Sequence, residues 1–98
     1  MEIAINRAII SAVYSGNLHK IESLFRDGRD INELDSSGRT ALHIATKLKN
    51  FEAVCTLCDC SSDASFLDHK NRQGMTALHI AVRMQDIRIA TFLLARGA

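Results

Sequence analysis

The segment Ser37-Gly-Arg-Thr-Ala-Leu-His-Ile-Ala45 returns as Gln73-Gly-Met-Thr-Ala-Leu-His-Ile-Ala81, 36 residues later, with seven of nine positions identical. In a chain of 98 residues, internal repetition at this period points to stacked supersecondary units instead of one globular core. A stack of that kind offers a repeated surface to a partner and seldom carries chemistry of its own.

Counting back 33 residues from Thr40 reaches Arg7, and Ala8-Ile-Ile-Ser-Ala12 keeps the small-apolar spacing of Ala41-Leu-His-Ile-Ala45. Three units follow, over approximately residues 1–32, 33–68 and 69–98, together forming one domain. Each divides into a turn, a short helix, a tight bend and a second helix. Asp35-Ser-Ser-Gly38 has Asp first and Gly fourth, as a type I turn prefers. Thr40 and Thr76 stand where a hydroxyl caps a helix start. Gly16 ends the first helix, and Gly28 and Gly97 suit the left-handed position past a second one. Leu42 and Ala45, then Leu78, Ala81 and Val82, fall at three- and four-residue spacing and predict one apolar face. The second helices are expected to pack through Leu18, Ile21, Leu24 and Phe25; through Phe51, Val54, Leu57 and Cys58; and through Ile87, Ala90, Phe92, Leu93 and Leu94.

The pattern Asp-x-x-Gly-x-Thr-x-Leu-His-x-Ala, intact over residues 35–45 and recurring over 71–81 with Asn71 in the Asp position, resembles the ankyrin repeat. Phe92-Leu-Leu-Ala-Arg-Gly-Ala98 and Asp30-Ile-Asn32 match its other segments. The resemblance implies an all-α repeat solenoid of about three helix-turn-helix repeats joined by β-hairpin-type loops. It also implies that His43 and His79 bond the backbone turns between neighbouring repeats, a structural role and not a paired site. Three departures stand out. Ala41 and Ala77 replace the usual Pro. Lys49-Asn50 and Gln85-Asp86 replace the Gly between helices, which puts a side chain at positive φ at a cost of about 1 kcal/mol. The middle repeat gains three residues within 58–66, and its polar stretch Asp59-Cys-Ser-Ser-Asp-Ala-Ser65 reads as a longer surface loop.

Twelve basic against eleven acidic residues give a formal net charge of +1, with aromatics at 5%. No basic, aromatic-laced patch of the kind nucleic acid requires is visible, and no segment is long enough to span a bilayer. Three cysteines do not make a disulfide framework, so cytosol or nucleus is the expected compartment. Gly97-Ala98 directly follows an apolar helix, and a longer array or a covered last face is expected there.

No nucleophile–base pair, phosphate loop or cofactor motif appears, so a non-enzyme without cofactors is expected. Cys55, Cys58 and Cys60, with His69, have the donor types for zinc, and Cys-x-x-Cys is ligand spacing. Free cysteines at helical spacing are as readily core residues. A metal- or redox-responsive module is therefore the alternative function, and a structural spacer or a regulatory segment of a larger enzyme are others.

The resemblance places partner contacts on the hairpin tips and the outer side of each first helix. Those positions are Tyr14 and Ser15; Ser36, Ser37, Arg39, Lys47 and Leu48; and Arg72, Gln73, Met75, Arg83 and Met84. Arginine and large apolar groups mixed in one row favour an interface. The function expected is recognition of a folded protein. The irregular middle repeat is also similar to those of inhibitor-of-NF-κB proteins, which implies a Rel-type transcription factor as the narrower partner.

Overall fold

The computed structural model describes residues 8–28, 32–61 and 64–98. Arg7, Asp30 and Ile31 of the expected register, and Ser62 and Asp63 of the expected loop, lie outside the described residues. Six α-helices follow in three pairs: α1 Ala8–Ser15 with α2 Leu18–Arg26, α3 Ala41–Lys47 with α4 Phe51–Cys60, and α5 Ala77–Arg83 with α6 Ile87–Ala95. Helices pack within each pair. The first helices line up as α1–α3–α5 and the second as α2–α4–α6. No strand occurs among the described residues, as expected for an all-α solenoid.

The same local chemistry builds each pair. Thr40 and Thr76 accept the backbone N–H of His43 and His79, and each imidazole reaches back to the threonine N–H, closing a capping box. The bends do two jobs. Lys49 N–H donates to Thr46 O and Asn50 N–H to Ala45 O, which closes α3 in a Schellman pattern. The Asn50 side chain then caps the start of α4. Gly16-Asn17 and Gln85-Asp86 repeat the device.

Lys49 and Gln85 therefore sit at φ 58° and 60°. A side chain there costs about 1–2 kcal/mol, against roughly 0.5–1 kcal/mol of extra unfolded-state freedom for glycine. Lys49→Gly/Gln85→Gly should stabilise the fold by about 1 kcal/mol and raise the midpoint by roughly 4–8 °C in thermal melts. An unchanged or lower midpoint would show that these bends are unstrained.

The core runs as a continuous seam through all three pairs. Ile9 and Val13, Leu42 and Ala45, and Ala77 and Ala81 supply the first helices; Ile21, Val54, Leu57, Ile89 and Leu93 supply the second. Burying an aliphatic side chain of this size contributes about 1.5–3 kcal/mol. Three residues expected in the apolar faces are instead exposed: Val82 at 62%, Ile87 at 78% and Leu94 at 58%. One period earlier, Thr46 and Cys58 are buried, on helices that pack against the third pair. Val82 and Leu94 face away from the stack, where no described residue covers them. On α6 the buried positions are Ile89 and Leu93, four apart, which turns Ile87 outward.

The insertion also differs from the expected loop. Asp59 and Cys60 belong to α4. Arg96 reaches back from the end of α6 to Asp59 Oδ1 and to Cys58 O, each at 3.0 Å. A guanidinium there satisfies an orphan carbonyl and complements the helix C-terminus. Further on, Ala64–Phe66 forms a 3₁₀ turn, and Phe66 and Leu67 plunge into the core.

Candidate partner-binding cleft

Two hairpin-type turns project from the first-helix side. Asp35 Oδ1 accepts the N–H groups of Ser37 and Arg39, each at 2.9 Å, while Asp35 N–H donates to Arg39 O. Asn71 repeats this with Gln73 and Met75. A short polar side chain that folds the backbone over itself is the shared requirement, so Asn substitutes for Asp without loss of the turn. Charge is what changes. Asp35 Oδ2 binds Arg39 Nε at 2.9 Å, and Asn71 has no such partner. Burial alone would raise the Asp35 carboxyl, but the N–H groups of Arg39 and Ser37 and the guanidinium outweigh it and hold it below its usual range.

His43 ties the two turns together. Thr40 N–H donates to Nδ1 at 3.2 Å, which leaves Nε2–H to donate to Met75 O at 2.9 Å. Its ring is 1% exposed, and burial pushes its pKa down. His79 makes the same cap but is exposed, as Val82 and Leu94 are. The inter-repeat role expected for both histidines is thus seen at His43.

Between the turns and the inner sides of α3 and α5 lies a cleft of about 690 Å³. Ser37, Arg39, Lys47, Arg72, Gln73, Met75, Arg83 and Met84 of the expected contact set line it. Tyr14, Ser15, Ser36 and Leu48 do not. Tyr14 and Leu48 are exposed on the same first-helix row, Ser36 stands at the turn tip, and Ser15 Oγ donates to Ala12 O. His43, Ile80 and Asn71 complete the wall. Nothing in the repeat pattern marks them as surface, because their equivalents serve the fold.

Two cleft cations are positioned. A Cβ on Gly38 would stand 2.9 Å from Arg72 Cγ, so the stem of Arg72 lies across the bare glycine of the neighbouring turn. Gly38 holds φ +75°, which makes it doubly intolerant of a side chain. Arg83 Nη1 points at Met75 Sδ, 3.8 Å away.

The candidate zinc quartet is not assembled. Cys55, Cys58 and Cys60 lie along α4, whereas His69 packs edgewise on His43 with ring centroids 6.3 Å apart. No group of three potential ligands gathers among the described residues. Burial raises all three thiols, Cys58 to about 11, so they are held away from the reactive thiolate form. Among the described residues no helix is long and apolar enough to cross a membrane.

Comparison with known proteins agrees with this architecture. A family model described as ankyrin repeats, in three copies, matches residues 7–98. A stretch of 56 residues is 39% identical to part of an L-asparaginase from Dirofilaria immitis, covering 57% of this chain and 10% of that protein. The chain thus spans about a tenth of the length of that relative. Ankyrin repeats are generally protein–protein interaction modules and are typically not enzymes. With a match extending over nearly all of the sequence, this chain belongs to the ankyrin-repeat family.

Proposed function

We propose that the chain is a non-catalytic interaction module that receives a protein partner in the cleft between its second and third turns. The supporting observation is the division of labour within each repeat. Thr, Leu, His and Ala of the repeated motif cap and pack the helices, while the cleft of about 690 Å³ is lined, apart from His43 and Ile80, by positions that differ between repeats. Tyr14 and Leu48 extend that surface toward the first repeat. Ser15 and Ser36 form its polar rim.

Arg and Met groups over a preformed concavity suit a folded partner, since rigid surfaces bind with less ordering cost. A Rel-type transcription factor is the narrower form of the same reading and rests on the irregular middle repeat alone. The thiols leave cytosol or nucleus as the proposed compartment. A second reading takes its support from the asparaginase match: a stretch like this one can be a small part of a much larger protein, and the repeats would then act as a spacer or regulatory segment.

Affinity capture from cell extract, with the wild-type chain beside a Leu48→Glu/Met84→Glu variant of unchanged circular dichroism, separates the two. The interaction reading expects a protein retained by the wild type and depleted at least tenfold by the variant. Identical retention would favour the spacer.

A further inference from the structure

We infer that the cleft selects an acidic protein segment, one that sets carboxylates against Lys47, Arg72 and Arg83 and an apolar side chain against Met75 and Met84. This rests on the interaction reading above and names the partner's chemistry. The chain as a whole carries a formal charge of only +1. Yet the cleft wall contains four cationic side chains, Arg39, Lys47, Arg72 and Arg83, and no carboxylate among the described residues.

Only Arg39 is neutralised in place, by Asp35. The other three have no ion-pair partner among the described residues. Asn71 removes from the third turn the carboxylate that the second turn possesses. His43, on the same wall, is kept neutral by burial and by the Thr40 N–H facing Nδ1. Of the described carboxylates, Glu22, Glu52 and Asp59 ride on the second helices, Asp86 caps one and Asp27 follows one, while Glu33, Asp35 and Asp68 lie on the segments that form or lead into the turns; none of them lines the cleft. The cleft lining itself is therefore of one sign, and a concave wall of one sign concentrates ligands of the other.

Preorganisation strengthens the inference. Arg72 is laid across Gly38 and Arg83 is directed at Met75, so less side-chain freedom is lost on binding than for free surface cations. Carboxylates are favoured over nucleic acid because, among the described residues, no Phe, Tyr or Trp lines the cleft, and single strands need stacking surfaces. Met75 and Met84 offer instead an adaptable apolar floor.

Fluorescence anisotropy with three labelled peptides tests this: one of interspersed glutamate and leucine, one with glutamine for glutamate, and one with lysine. A labelled oligothymidylate is run in parallel. The glutamate peptide should bind at least tenfold tighter than the glutamine peptide at low salt. It should weaken roughly tenfold in Lys47→Gln/Arg72→Gln/Arg83→Gln, and by a similar factor when salt rises to about 0.5 M. Arg88→Gln, on the opposite side over Phe51, should bind as the wild type does. Equal affinity for the glutamine peptide, no loss in the triple variant, or tighter oligothymidylate binding would each overturn the inference. A captured protein that depends on Leu48 and Met84 but ignores salt and the triple variant would overturn it while leaving the interaction reading intact.

Discussion

His43→Ala is expected to destabilise the protein by about 3 kcal/mol. The substitution opens the capping box with Thr40, worth about 1 kcal/mol, removes one of the two hydrogen bonds that Met75 O accepts, worth about 0.5–1.5 kcal/mol while the Asn71 N–H keeps the other, and leaves a cavity where the buried ring packed, worth about 1 kcal/mol more. The bond it removes spans 32 residues and joins the second repeat to the third, so the loss weakens the coupling between units and not one helix alone. Against a total stability of about 5–15 kcal/mol for a domain this size, it is a large fraction. His79→Ala supplies the control, because the same box on an exposed helix start should cost about 1 kcal/mol or less. Urea unfolding of the two variants measures the difference. Equal losses would mean that neither the Met75 contact nor the burial of the His43 ring contributes.

The same residue fixes a pH dependence. Burial lowers the His43 pKa in the folded chain, so below about pH 6.5 the unfolded state takes up the proton first. Stability is fully present above that value and falls as pH drops from it toward the lower folded pKa. Between pH 7.5 and 5 the wild type should lose stability that His43→Ala does not lose. Asp35, whose folded pKa is also lowered, keeps its contribution until below about pH 4, outside this window. Parallel pH profiles for wild type and variant would contradict the buried neutral imidazole.

Leu57→Ala is expected to cost about 3–4 kcal/mol. Leu57 is fully buried on α4, the helix that packs against both α2 and α6. Truncating such a leucine removes its transfer energy and leaves a cavity that the flanking helices fill only partly. In a nearest-neighbour stack, damage to the central unit is felt on both sides. Ile87→Ala removes a similar side chain from a position that is 78% exposed, and should change stability by less than about 0.5 kcal/mol. Chemical denaturation reads both. A comparable loss at Ile87 would mean that its exposed face is covered in solution.

The contrast between Leu57 and Ile87 also marks how far the sequence could be read. Thr40 and Thr76 as caps, Asp35 and Asn71 as turn formers, and Lys49 and Gln85 as strained bends were legible, because each is set by neighbours within five residues. Burial was legible only where a second layer exists. Val82 and Leu94 carry the same pattern as their counterparts one period earlier, yet they face outward, since their exposure is decided by what stacks beyond them. The end of α4 was misread for a related reason. Asp59 and Cys60 look like loop residues, yet they continue the helix, and Arg96, more than thirty positions away, binds the Asp59 carboxylate and the Cys58 carbonyl at its end.

The cleft divides along the same line. Its hairpin-tip and first-helix residues follow from the repeat register. That it lies between the second and third turns, away from Tyr14 and Ser15, depends on how neighbouring turns approach one another. That three of its cations lack partners depends on where the carboxylates fall in space. The cysteine and His69 set was attractive in spacing and fails in geometry, because one helix carries the thiols and His69 packs on His43 beside the turns.

Site-specific photo-crosslinking in cell extract tests the central claim most directly. One variant places the photoreactive residue at Gln73 on the cleft wall, another at Glu52, exposed on α4. Recognition through the cleft predicts a discrete protein adduct from Gln73, absent from Glu52 and lost when Leu48→Glu/Met84→Glu is added. Adducts from Glu52 alone, or the same adducts from both positions, would contradict it.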